Sequence, residues 1–106
     1  MIEILKRLAE QEHKQSYEKY PAFHSMHEAY GVLIEEILEA SEAQDAVEDM
    51  QWELFAHIRR EKKLNANSSM IAMLDMIEDT AINAAKENLQ VAAMCLKTKA
   101  SLGNKG

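Results

Sequence analysis

The sequence predicts an all-α protein, a helical bundle of long antiparallel helices, and three observations carry that expectation. Residues that supply tight turns are nearly absent, with 3 Gly and 1 Pro in the chain and two of the glycines, Gly103 and Gly106, within the last four positions. Apolar side chains recur at the i, i+3, i+4 spacing of a helical face over most of the length. Hydrophobic residues make up 47% and charged residues 28%, the balance of a folded chain rather than a disordered one. At 106 residues the expectation is one domain, 1–106, with a single core that has little to spare.

Helix one is expected over about residues 2–20, where Ile4, Leu5, Leu8 and Ala9 share a side. Pro21 stops it, because the residue before a proline is pushed out of the α region. After the connector Pro21-Ala22-Phe23-His24, Ser25 is followed three residues later by Glu28, the pattern of a capping box that satisfies free N–H groups in a first turn. Helix two is therefore expected over about 25–63. Tyr30, Leu33, Ile34, Ile37 and Leu38 form its apolar stripe, which Val47, Met50, Trp52, Leu54, Phe55 and Ile58 continue. The polar run from Ser41 to Asp49 is a place where a bend could hide.

Leu64-Asn65-Ala66-Asn67-Ser68-Ser69 reads as a loop whose Asn and Ser residues can cap the next helix. Helix three is expected over about 69–101, with Ile71, Leu74, Ile82, Ala85, Leu89, Ala92, Ala93 and Leu96 as its main core stripe. Gly103 offers a left-handed cap, and 103–106 a flexible tail. A helix of about 35 residues is roughly 50 Å long, whereas a compact globule of this size is about 35 Å across. Either the helices break or a second chain covers their apolar faces, and a homodimer or homotetramer is the expected solution.

Eighteen acidic residues against 12 basic ones give a net charge of -6. Nucleic acid is an unsuitable partner, since affinity for it comes mainly from Lys and Arg neutralising phosphates. Cys95 is the single cysteine, which excludes a disulfide framework and a Cys-based zinc site and fits a reducing compartment. The start of the chain lacks the apolar stretch of a signal peptide, and no run is long enough for a membrane span. A soluble, cytoplasmic protein is expected.

The run Glu35-Glu36-Ile37-Leu38-Glu39 carries the most chemistry. Residues three apart are neighbours on a helix, so Glu36 and Glu39 can aim their carboxylates at one point, as a hard divalent cation requires. With Ile37 at zero and about 100° per residue, the apolar stripe centres near 30°, Glu36 falls near -100° and Glu39 near -160°. These two acids edge a flank of small or apolar residues, while Glu28 and Glu35 point away from the stripe. On helix three, Asp79, Asn83, Gln90 and Lys97 form a polar band beside the core stripe, with Glu87 at its margin. Such a band facing an acidic flank is how bundles build metal sites from their interior. A solvated polar face explains the same pattern, and spacing alone leaves both readings open. His24 and His27 share a helical spacing but lack a visible third ligand.

The stretch from His27 to Glu39, followed later by Glu87-Asn88-Leu89-Gln90-Val91-Ala92-Ala93-Met94, resembles the MazG-like all-α nucleoside triphosphate pyrophosphohydrolases, in particular small versions from Gram-positive bacteria and their phages. The family motif is E-E-x-x-E, then E-x-x-D on a later helix. The resemblance implies Mg2+ or Mn2+ held by Glu36, Glu39 and Glu87, with Gln90 standing where the aspartate belongs. It also implies a nucleoside triphosphate substrate, split into a monophosphate and pyrophosphate. It spans roughly residues 20–100, its specific part being the two short stretches.

Two features depart from the family pattern. Gln90 is neutral and offers only a carbonyl oxygen, so the site carries one charge fewer. The two acidic halves also lie further apart than is usual, with Ala46 to Leu74 reading as an insertion or a lengthened hairpin. The alternative expectation is thus a catalytically silent bundle of phage or prophage origin that acts by binding.

Overall fold

The computed structural model describes residues 1–19, 22–60 and 68–103. Three helices follow in order: α1 (Ile2–Lys19), α2 (Met26–Arg60) and α3 (Ser68–Gly103). The described residues contain no strand, as the lack of glycine and proline predicts. The ends expected at Tyr20 and Lys63, the loop to Asn67, and the tail beyond Gly103 lie outside the described residues.

The start of α2 is fixed locally. The Glu28 backbone N–H donates to Ser25 Oγ at 3.1 Å and the Ala29 N–H to the Ser25 carbonyl at 3.1 Å, so Ser25 caps as its spacing predicts. From there α2 runs without interruption through Ser41–Asp49; polarity in that stretch marks an outer surface and not a break.

α2 and α3 form an antiparallel hairpin. The Phe23 N–H donates to Ser101 Oγ at 2.9 Å, and Ser101 Oγ donates to the Lys97 carbonyl at 2.9 Å, both within buried surroundings. This ties the entry of α2 to the last turn of α3. The Lys97 ammonium lies 4.5 Å from the centre of the Phe23 ring, a cation–π contact that shields a charge which is itself buried. Packed on α3 but not on α2, α1 runs with Glu12 and Ser16 beside Gln90, Ala93 and Met94. The two outer helices thus bound a cleft floored by α3.

Where the helices meet, the side chains are small. Ala9, Ala29, Ala40, Ala43, Ala84 and Ala93 are buried, joined by Met73 and Phe23. Alanine seams let helices approach closely, but they take little apolar area out of water. Many large apolar residues face outward, Tyr30 being 66%, Trp52 68% and Ile82 63% exposed, and among the described residues no large side chain is fully buried.

This corrects the expected core. Of the stripe assigned to α3, Ala93 is buried but Ile71, Leu74 and Ile82 are exposed, while the face that meets α2 carries Met73, Ala84 and Glu87. The expected stripe of α2 is likewise open at Tyr30, Ile34, Ile37 and Leu38. The overall form follows. The chain measures 63 × 25 × 21 Å with a radius of gyration of 18.7 Å, against about 13 Å for a compact domain of this length.

Candidate metal centre

Two helices build the site. On α2, Glu36 and Glu39 sit one turn apart on the side turned toward the cleft; on α3, Glu87 meets them from the opposing helix because the hairpin is antiparallel. One carboxylate oxygen from each of Glu36, Glu39 and Glu87 lies within 4.8 Å of the others. Glu39 is exposed, whereas Glu36 and Glu87 are half-buried.

The electrostatics of this grouping are unfavourable by themselves. Glu36 Oε2 and Glu87 Oε2 are buried atoms without a hydrogen-bond partner, an arrangement that costs desolvation energy with nothing returned. The Glu36 carboxyl is pushed above its ordinary value, first by burial and then by the charges of Glu39, Glu87 and Glu35. Removal from water and like charge both disfavour the carboxylate form. Hard oxygen donors, all anionic, converging from two helices with two oxygens unsatisfied, are a donor set that fits Mg2+ or Mn2+.

Two hollows flank the acids. Glu39, Glu42, Ala43, Asn83 and Glu87 line an open groove of about 330 Å³. On the other side, Glu12 and Ser16 of α1, Glu36, and Gln90, Ala93 and Met94 of α3 line a cavity of about 210 Å³. Gln90 therefore shares a wall with Glu36 but stands on the side shared with α1. Its amide brings an acceptor and donors without adding charge.

Other candidates fall elsewhere. Lys97 is committed to the Phe23 ring and is no surface lysine. Tyr30 is exposed rather than core. Two α1 residues fall where the sequence does not put them: Glu12, which no motif singles out, lines the cavity beside Glu36, and His13, which reads as a surface residue, has a buried Nδ1 without a partner and packs its ring edge-on against Tyr17 with centroids 5.9 Å apart. No local pattern flagged them, because their placement depends on how α1 docks. Comparison with known families, curated proteins and solved structures finds no match to this chain.

Proposed function

We propose that the protein is a divalent-cation-dependent nucleoside triphosphate pyrophosphohydrolase akin to the MazG-like enzymes, converting a nucleoside triphosphate to its monophosphate and pyrophosphate. The observation that supports this reading is the convergence of Glu36, Glu39 and Glu87 with two buried, unpartnered carboxylate oxygens. Glu36, Glu39 and Glu87 would hold Mg2+ or Mn2+, and a cation bound there would supply charge neutralisation for the triphosphate and activation of water.

The chain's own residues do the rest by position and charge. Three carboxylates within a few ångströms repel a bare polyphosphate, so they admit a nucleotide only together with cations. Glu36, with its raised pKa, takes up a proton at a higher pH than an ordinary carboxyl, and that proton competes with the cation. Gln90 and Ser16 offer neutral hydrogen-bonding groups in the adjoining cavity, suited to a ligand edge that is not charged. The open apolar faces of α2 and α3 support a homo-oligomer as the enzyme's working form. Its place is the cytoplasm, where a reducing milieu keeps Cys95, which is exposed, as a thiol.

A second reading rests on Gln90: without the fourth acid, the bundle binds nucleotide and cation but does not hydrolyse, acting as a sensor or an interaction protein of phage or prophage origin. Pyrophosphate release, measured over the standard ribo- and deoxynucleoside triphosphates with Mg2+ or Mn2+, separates the two. Turnover that disappears in Glu36→Ala and Glu39→Ala supports the enzyme. Absence of turnover with every nucleotide, or full activity in both variants, rejects it.

A further inference from the structure

The cavity beside Glu36 differs in chemistry from the groove on the other side of the acids. That groove is lined by the carboxylates of Glu39, Glu42 and Glu87, and takes a polyphosphate only together with its cations. In the cavity of about 210 Å³ the carboxylates stand at opposite walls, Glu36 on α2 and Glu12 on α1, with Ser16, Gln90, Ala93 and Met94 completing the lining. Because α1 and α2 do not touch and each packs about 8–10 Å from α3, Glu12 faces Glu36 across the width of α3.

The lining suits a flat, uncharged ring. Glu12 and Ser16 lie one turn apart on α1, and Gln90 and Met94 one turn apart on α3, so the walls run for about 6 Å. That length, with a volume below the roughly 300 Å³ of sites that enclose a whole ligand, fits one part of a nucleotide. Ala93, 1% exposed, closes the floor, and the thioether of half-buried Met94 gives a ring a soft surface to lie on. Among the described residues, the side chains of Glu12, Ser16 and Gln90 have no hydrogen-bond or ion-pair partner. Their donors and acceptors are open to a ligand.

Glu12 decides which ring fits. Its carboxylate accepts hydrogen bonds and donates none, whereas Ser16 and Gln90 do both. Cytosine presents an amino donor beside a ring-nitrogen acceptor, while uracil has the same ring with an oxo group in place of the amine. Set against Glu12, that oxo oxygen brings lone pairs to lone pairs. A carboxylate accepting from the cytosine amine is a recurrent pairing in base recognition, and the amines of adenine and guanine meet the same need.

Resting on the reading of the chain as a nucleotide-binding protein, we propose that this cavity receives the base and that Glu12 selects bases carrying an exocyclic amine over uracil and thymine. Glu12 is then a specificity residue that touches the substrate without holding the cation.

The test is calorimetric titration of the full chain, in Mg2+, with the α,β-imido analogues of CTP, dCTP and UTP, which bind without being cleaved at that bond. The wild type is expected to bind the CTP analogue at least tenfold more tightly than the UTP analogue, as one well-made base contact allows. Glu12→Gln, whose amide both donates and accepts, is expected to bring the two within twofold. Glu12 is exposed, so the exchange leaves the fold intact, which circular dichroism checks. Equal affinities in the wild type, or an undiminished preference in Glu12→Gln, overturn the proposal while nucleotide binding stands. A Glu12-dependent preference for the CTP over the dCTP analogue, with cytosine and uracil bound alike, also overturns it and assigns the cavity to the sugar. Loss of Mn2+ binding in Glu12→Gln with the base ratio unchanged overturns it too, and makes Glu12 a cation ligand. If no analogue binds, this proposal and the proposed function fall together. If the cytosine preference holds and no nucleotide releases pyrophosphate, the hydrolase fails and the base site stands.

Discussion

Replacing Glu36 by glutamine should make the cation-free protein more stable at neutral pH, the reverse of what removing a half-buried native side chain usually does. Three carboxylates have oxygens within 4.8 Å of one another, and Glu36 takes part in two of the three pairs. Even at the dielectric of water each pair repels by about 0.9 kcal/mol, and screening at physiological salt leaves about 1 kcal/mol to be relieved by neutralising Glu36. For a domain of this size that is roughly 4–8 °C in midpoint per kcal/mol.

The pH dependence has a definite sign. Because the folded state raises the Glu36 carboxyl above its ordinary value, the folded chain holds a proton that the unfolded chain has released across that window, and stability falls as pH rises through it. The gain from Glu36→Gln should therefore be full at pH 7 and largely gone by pH 4, where Glu36 is mostly protonated in both states. Thermal unfolding in EDTA, followed by circular dichroism at fixed protein concentration, reads both. A variant less stable than wild type at pH 7, or an equal shift at pH 4 and pH 7, refutes the electrostatic account of the site.

Gln90→Asp adds a fourth charge beside Glu36 and should tighten Mg2+ binding measured by calorimetry, while lowering stability in EDTA. If the protein is the proposed hydrolase, Glu87→Gln should reduce pyrophosphate release at least a hundredfold, since it removes the carboxylate that α3 brings to the cluster; initial rates at saturating nucleotide check it. Ser101→Ala strips the buried Phe23 N–H of its acceptor and should cost about 1–3 kcal/mol, read by urea denaturation. Ser25→Ala, which removes the oxygen accepting from the Glu28 N–H, should cost about 1 kcal/mol by the same measurement.

What the sequence discloses and what it hides divide along physical lines. The start of α2 is legible at Ser25 and Glu28 because capping is a contact between residues three apart. Glu36 and Glu39 are legible as a pair for the same reason, and Glu87 enters with them through the motif it resembles. The face of α3 that meets α2 is not legible. The stripe of Ile71, Leu74, Ile82 and Leu89 is the more apolar, yet α2 settles against Met73 and Ala84, where small side chains allow close approach. Hydrophobic spacing marks an apolar face; it does not fix which face of a helix meets its neighbour. Long-range docking hides the remainder. The burial of Lys97 depends on Phe23, 74 positions earlier, and the placement of Glu12 and His13 on the line along which α1 lies against α3.

Titration with Mn2+ followed by electron paramagnetic resonance tests the central claim most directly, because the bound ion loses its free six-line signal whether or not any nucleotide is turned over. The account predicts saturable loss of that signal in the wild type, competed by Mg2+, weakened as pH falls, and abolished in Glu36→Gln/Glu87→Gln. An undiminished signal in the wild type, or loss of signal equal in the double variant, would contradict a cation site built from Glu36, Glu39 and Glu87.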